Sequence, residues 1–253
     1  MVWNPSTYMA FGDERTRPAV ELLARIRSEN PERVIDLGCG PGNSTAVLAQ
    51  RWPNAELQGL DSSPDMLAQA RRTQVHAEWI EADLASWTPG TNYSVIFSNA
   101  TLQWLDDHRA LIPRMLSFVA PGGTFAFQVP HNMDAPSHVL MRETATSGPW
   151  ASTLENVREV AVLSPADYFA IFMSCGAQAD IWETEYLHVL EGTDAVYKWV
   201  SATGLRPFVQ ALAKDEREAF VLDYKRRLNR AYPQRQDGKT LFPFKRLFAV
   251  AQL

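Results

Sequence analysis

Three glycines, Gly38, Gly40 and Gly42, stand between the strand formers Val34, Ile35 and Leu37 and a helical pattern that begins at Ser44. Glycine at such a turn lets backbone approach a ligand where a Cβ would collide. Amides at the turn and helix start can grip polar ligand groups. Asp61 follows a second apolar run, about twenty residues beyond the turn. A carboxylate there can accept both hydroxyls of an adenosine ribose, but dinucleotide folds use an acid in a comparable place, so Asp61 alone does not choose the cofactor. With Ser62 and Ser63 it could instead cap a helix opening at Pro64. Met66, one turn in, is placed to cover an adenine face or to pack as helix core. The spacing G-x-G-x-G differs from the dinucleotide G-x-G-x-x-G, and a tight βα turn without ligand is the plain alternative.

The elements that must position these residues follow from periodicity. From Arg33 to Val129 short apolar runs alternate with amphipathic stretches, as βαβ units do. The pattern predicts strands over Arg33–Leu37, Glu56–Leu60, His76–Glu81, Ser94–Ser98 and Thr124–Val129. Helices are predicted over Ser44–Arg51, Pro64–Arg72 and Arg109–Phe118, with a covering helix over Arg17–Ser28. Beyond Val129 the alternation breaks. Helical patterns run over Ala135–Thr146, Ser152–Val160, Pro165–Cys175, Thr193–Thr203 and Asp215–Tyr232, and β-like runs over Ala177–Val189 and Thr240–Gln252. We read residues 1–253 as one domain, with a cofactor-binding core over 30–130 and helical, substrate-covering insertions over 131–176 and 190–238.

Bulk properties narrow the partners. A formal charge of −5 and a pI of about 5.6 argue against whole-surface attraction to nucleic acid. Two cysteines, Cys39 and Cys175, rule out a disulfide framework or a four-thiolate metal site. Cys39 reads as a small packing residue rather than a nucleophile. His76, His108 and His188 show no ligand spacing, so no metal is expected. The opening residues lack the basic and apolar regions of a signal peptide, and no apolar run reaches membrane length. A cytoplasmic protein with no membrane partner is the expectation.

With Asp36 ahead of its glycines, the segment VIDLGCGPGNST at Val34–Thr45 resembles motif I of the class I S-adenosylmethionine (SAM) methyltransferases. The resemblance implies an α/β fold, a Rossmann-like and mostly parallel sheet with helices on both faces and a helical lid before the last strand. It implies SAM as cofactor, with Asp36, Gly38, Gly40, Gly42, Asp61, Ser62 and Met66 around it. In that family an acid ending the third strand takes the adenine amino group and the next backbone amide meets a ring nitrogen; Asp83 and Leu84 match those positions. Asn99, in SVIFSNATLQW, matches the position that meets the methionine portion, although a turn-forming Asn is the alternative. Ala120–Gly123, APGG, matches the family's structural turn before the fifth strand.

The acceptor is read from other segments. No N-P-P-Y-like motif is present, and the pattern of Ser98, Asn99, Gln103 and Trp104 is similar to a group of carboxylate methyltransferases. Some of these act on trans-aconitate and others on malonyl-acyl-carrier protein. WNPSTYMAFGDERTRPA, PSHVLMRE at Pro136–Glu143, WVSATGLRPF at Trp199–Phe208 and the closing LFPFKRLFAVA look like the trans-aconitate 2-methyltransferase family. That resemblance implies a carboxyl O-methyltransferase giving the monomethyl ester and S-adenosylhomocysteine. A substrate with three carboxylates needs two held while the third attacks, and arginine's fork suits that task. Twelve of the 24 Lys and Arg lie after Val196, against five acids. Arg206, Lys245 and Arg246 are the preferred substrate cations, with Arg15 and Arg17 behind them. Tyr8, Trp104, His131 and His138 are candidates to line the acceptor pocket. Lys225, Arg226, Arg227 and Arg230 read as a solvated helix face. A carboxylate is ionised at neutral pH, so no general base is assigned. A nicotinamide oxidoreductase and a non-catalytic SAM-binding protein are the more distant alternatives.

Overall fold

The centre of the sheet is β1 (Arg33–Leu37), whose last four residues are all buried. Burial on both faces is what a continuous apolar run in a parallel sheet encodes. In the computed structural model, which describes residues 16–157, 160, 162–201 and 204–253, β1 pairs in parallel with β2 (Glu56–Asp61) and β4 (Tyr93–Asn99). The other strands are β3 (Glu78–Glu81), β5 (Val119–Pro130), β6 (Gln178–Glu191) and β7 (Lys239–Gln252), in the order β3-β2-β1-β4-β5-β7-β6. The reversal of order beside β1 is where ligands sit in open α/β sheets. His131 donates its N–H to Lys245 O and Leu253 donates to Gly123 O. Rising numbers on one strand therefore meet falling numbers on the other, and β7 runs antiparallel to β5.

Two compact units share the chain. The first holds the residues up to Pro130, Ala161–Thr184 and Leu247–Leu253; the second holds His131–Val160 and Glu185–Arg246. In the first lie α1 (Arg17–Ala24), α2 (Asn43–Arg51), α3 (Pro64–Ala70), α4 (His108–Leu116) and α7 (Pro165–Ser174); in the second lie α5 (Pro136–Ser147), α6 (Ala151–Leu154), α8 (Ala195–Ser201), α9 (Arg206–Ala211) and α10 (Lys214–Ala231). The core of the first unit gathers Ile35, Ile96, Phe125, Phe127, Tyr168 and Phe172. Phe127 meets the Tyr168 and Phe172 rings edge-on, with centroids 5.1 and 6.2 Å away. The core of the second unit is built on Phe220, Tyr224 and Leu228, one face of α10, with Trp150 and Phe208 against Phe220. Tyr224 Oη donates to Ser137 O, and Tyr232 Oη accepts from Ser137 N, which fixes the first turn of α5.

Three local differences from the sequence reading have physical causes. The APGG segment is not a separate turn but part of β5. Tyr93 pairs with Val119 and Val95 with Thr124, so the extra residues are absorbed as an irregularity, with Gly122 at φ +75°. Helix α7, expected among the substrate-covering insertions, buries Tyr168, Ile171 and Phe172 in the first unit's core. Helix α9 was not foreseen, because six residues opening on Arg-Pro give too short a period to read. Among the described residues no helix is long and apolar enough to cross a membrane. Among the same residues no cluster of three or more His, Cys, Asp or Glu could hold a metal.

Candidate active site

All three glycines of the turn have positive φ, +71° at Gly38, +54° at Gly40 and +93° at Gly42. Their surroundings give them different tasks. A Cβ on Gly38 would lie 2.1 Å from Thr101 Cγ2, so this glycine admits a neighbouring side chain. Thr101 Oγ1 in turn donates to Gly38 O at 3.2 Å. A Cβ on Gly42 would press on the Trp79 ring at 3.1 Å. A Cβ on Gly40 would meet nothing within 4 Å among the described residues. Only at Gly40 is the space beside the backbone open for a ligand. Cys39 is buried between them, and that burial, with Asp36 and Asp61 nearby, pushes its thiol far above the ordinary range, which removes it as a nucleophile.

Two carboxylates brace this turn. Asp36 is fully buried, and its Oδ2 accepts from Ser44 Oγ and Thr45 Oγ1, each at 2.7 Å. It pins the first turn of α2 rather than reaching solvent. Burial raises its pKa to about 6, against the pull of the two hydroxyls, and Asp61 adds to the rise. Asp61 Oδ2 accepts from Gly40 N at 2.9 Å and Oδ1 from Ser63 N at 2.8 Å. The helix cap is Ser63, whose hydroxyl accepts from Met66 N; Ser62 is exposed beside it. Met66 is 40% exposed, which sets aside its reading as helix core.

The other strand ends complete the cradle. Asp83 is exposed and accepts from Ala85 N at 2.9 Å. Leu84 buries its side chain, while its carbonyl and that of Trp87 accept from Arg114 at 2.6 and 3.1 Å. Arg114 thus clamps the Asp83–Trp87 turn, a role no local signal announced. Asn99 Oδ1 is buried and has no hydrogen-bond partner among the described residues. Ala100 follows at φ +55°, a strained value for a residue with a Cβ. It is held because its N–H donates to Gln128 O and its carbonyl accepts from Gln103 Nε2 at 2.7 Å. A 3-10 turn, Leu102–Trp104, then leaves Trp104 42% exposed.

In the second unit the strand pairing sets His131 directly across from Lys245. Arg246 is buried, with its guanidinium 4.6 Å over the Phe244 ring and 5.9 Å from Tyr186. His131 lies across from Lys245, but Lys245 and Arg246 are consecutive in β7 and point to opposite faces of the strand. Arg206 is exposed at the first residue of α9. His138 is kept neutral, because burial and Arg142 lower its pKa to about 4. Lys225 pairs with Asp194 at 3.0 Å, and Arg226 and Arg227 both pair with Asp223, so this run is the ion-paired face that the spacing suggested. Arg17 pairs with Glu21 at 3.0 Å on the exposed face of α1. Tyr8 and Arg15 lie outside the described residues.

With this geometry in view, similarity to known proteins decides the family. A domain described as Methyltransferase domain matches residues 34–123. A trans-aconitate 2-methyltransferase of Azoarcus sp. is 47% identical over 250 residues, covering 98% of this chain and 98% of that protein. A trans-aconitate 2-methyltransferase of Escherichia coli is 46% identical over 250 residues, covering 99% of this chain and 98% of its own length. This chain belongs to the trans-aconitate 2-methyltransferase family. Solved structures agree on the fold alone. The YcgJ protein of Bacillus subtilis superposes with a TM-score of 0.62 at 15% identity, over 93% of this chain and 97% of its own. The phosphoethanolamine N-methyltransferase 2 of Haemonchus contortus, solved with S-adenosylhomocysteine, gives 0.54 at 16% identity over 92% of this chain and 52% of its own.

The family's cofactor, SAM, fits the residues of the first unit. The methionine part of SAM carries an ammonium donor. Asp36 Oδ1 and Asn99 Oδ1, on the adjacent strands β1 and β4, are buried acceptors with no donor among the described residues. The open space at Gly40 and the outward Met66 offer room for an adenosine, and Asp61 is already set against the turn.

Proposed function

We propose that this enzyme transfers a methyl group from SAM to a carboxylate of trans-aconitate, giving the monomethyl ester and S-adenosylhomocysteine. The observation that supports the reading is an overall identity of 46 to 47% in alignments that cover 98 to 99% of this chain and therefore take in the second unit. SAM supplies a sulfonium-bound methyl carbon open to in-line displacement by an oxygen nucleophile. The chain's own work is to bind, orient and keep water away. Gly40, Asp61 and Met66 would hold the adenosine, Asp83 and Leu84 the adenine edge, and Asp36 and Asn99 the methionine ammonium. The acceptor carboxylate is ionised at neutral pH, so no side chain need take a proton. His131, Lys245, Arg246 and Arg206 are assigned to the substrate's carboxylates, with Arg chosen where a planar pair of bonds is wanted. Trp104 would give the reacting carboxylate an apolar wall. The helices of the second unit are assigned to covering the acid.

The test is incubation with SAM and a panel of acids, including trans-aconitate, cis-aconitate, citrate and malonyl-acyl-carrier protein, with esters read by mass spectrometry. Monomethyl trans-aconitate is expected. Methylation of malonyl-acyl-carrier protein without turnover of trans-aconitate would replace the substrate, and saturable SAM binding with no ester from any acid would remove the catalytic reading.

A further inference from the structure

The 3-10 turn beside Asn99 is fastened from behind by a buried side-chain pair that the cofactor cradle does not use. His108, the first residue of α4, is 4% exposed. Its Nε2 lies 2.8 Å from Leu102 O and its Nδ1 lies 2.5 Å from Tyr168 Oη. A carbonyl can only accept, so Nε2 carries the proton, Nδ1 is the acceptor, and Tyr168 donates to it. Tyr168 is itself fully buried in α7 and accepts from Leu163 N at 3.2 Å. The partners of Tyr168 Oη, His108 Nδ1 and Leu163 N, and that of His108 Nε2, Leu102 O, all fit one tautomer. This imidazole holds the carbonyl of Leu102, the start of the turn bearing Gln103 and Trp104, and the Leu105 carbonyl at the end of that turn also acts on it. The opposite side of the same segment is tied to the glycine turn through Thr101 and Gly38.

We propose that His108 is a positioning residue for methyl transfer, holding through Leu102 the turn that sets Gln103 and Trp104 at the end of β4. The proposal rests on the methyl-transfer reading above. It follows from a simple economy of constraint. Ala100 is strained and Trp104 is 42% exposed, while between them Leu102 is fully buried in the first unit's core, so the turn depends on how Leu102 is held. Outward bonds, Ala100 N–H to Gln128 O and Thr101 Oγ1 to Gly38 O, fasten its start, whereas the bonds of the 3-10 turn, Trp104 N–H to Thr101 O and Leu105 N–H to Leu102 O, are internal. The His108–Tyr168 pair supplies the polar anchor at Leu102, and it works only while the imidazole is neutral. A second proton on Nδ1 would face Tyr168 Oη, whose own hydrogen would then lose its acceptor. The charged groups around His108 are Asp106 and Asp107 in its own cap and Asp167 on α7, the last paired with Arg109 at 2.7 Å. Burial outweighs the two neighbouring acids and keeps His108 below the ordinary imidazole range.

Four proteins decide the matter: wild type, His108→Phe, His108→Gln and Tyr168→Phe. Glutamine can donate to Leu102 O and accept from Tyr168, while phenylalanine fills space without either bond. In His108→Phe, hydrogen exchange at the Trp104 and Leu105 amides should quicken by about tenfold or more, with β1 amides unchanged. In the same variant kcat for trans-aconitate should fall by about tenfold or more, with S-adenosylhomocysteine affinity kept within roughly threefold. His108→Gln should restore both readings most of the way. Tyr168→Phe removes a donor that favours the neutral ring, so the acid side of the kcat profile should move to higher pH. Unchanged exchange or kcat in a folded His108→Phe, or a His108→Gln as impaired as it, overturns the proposal. If His108→Phe does not fold, an unmoved acid limb in Tyr168→Phe overturns it equally. Failure of the wild type to make any ester would strike the functional reading instead, and the exchange data would still judge the brace.

Discussion

The amide of Gly40 donates to Asp61 Oδ2 across 2.9 Å, so the glycine turn after β1 and the acid ending β2 form one rigid unit. The carboxylate is not a free side chain waiting for a ribose; it is already aimed by the turn that a ligand would approach. Asp61→Ala should therefore both loosen the turn and remove the ribose acceptor. Affinity for SAM is expected to fall by at least about thirtyfold, roughly 2 kcal/mol, measured by calorimetry. Asp61→Asn keeps one acceptor oxygen and should lose less. Equal affinities for wild type and Asp61→Ala would take Asp61 out of the cofactor site.

The glycines of the turn should not respond alike to alanine. At Gly38 a methyl collides with Thr101 and the φ is unfavourable, so Gly38→Ala should cost roughly 2–4 kcal/mol of stability in urea unfolding. At Gly40 only the φ penalty applies, about 1 kcal/mol, because the space is open. Gly40→Ala should instead weaken SAM binding, since its methyl would stand where the ligand approaches. The reverse order of effects would exchange the roles given to the two residues.

Asp36 gives the fold a pH dependence of known sign. Its folded pKa, raised from 3.8 to about 6, means that the native state prefers the protonated acid. The stability of the wild type relative to Asp36→Asn should therefore be highest at about pH 4, fall as pH rises through 6, and level off above it. The size of the fall is on the order of a few kcal/mol. Urea unfolding of both proteins at several pH values reads the difference directly. A gap that stays constant from pH 4 to 7 would contradict the burial of an ionising acid at this position.

The basic residues of the second unit separate by burial. Arg206 is exposed, so Arg206→Ala should leave thermal stability within about 0.5 kcal/mol. Its KM for trans-aconitate should rise by about tenfold or more, with SAM affinity unmoved. Arg246 is buried over Phe244, so Arg246→Ala should lower stability as well, by about 1–3 kcal/mol, through lost packing and cation–π contact. Steady-state kinetics alongside thermal unfolding distinguishes them. An Arg206→Ala enzyme with an unchanged KM would leave the acid to His131, Lys245 and Arg246.

Much of this was legible in the residues because the first half is governed by local rules. The apolar runs of β1 and β4 and the cap at Ser63 each follow from a few adjacent side chains. The parts that were not legible depend on neighbours far along the chain. That Gly38 makes room for Thr101, or that Asp36 serves Ser44 and Thr45 instead of facing outward, appears only once the strands are side by side. Arg114 gave no motif, because a clamp on two carbonyls needs only one well-placed guanidinium. Helix α7 looked like part of the covering insertion because its amphipathic pattern says that it buries a face, not against what.

The last strand has a consequence for how the protein is made. Leu247, Ala249 and Ala251 belong to the core of the first unit, and β7 is the strand between β5 and β6. Synthesis must therefore pass Ala251 before a sheet begun at Arg33 can be finished, and until then its β5 side lacks its final neighbour. A frameshift or stop in the second unit would leave that edge permanently bare. The chain being made therefore carries an open β5 edge until β7 is delivered.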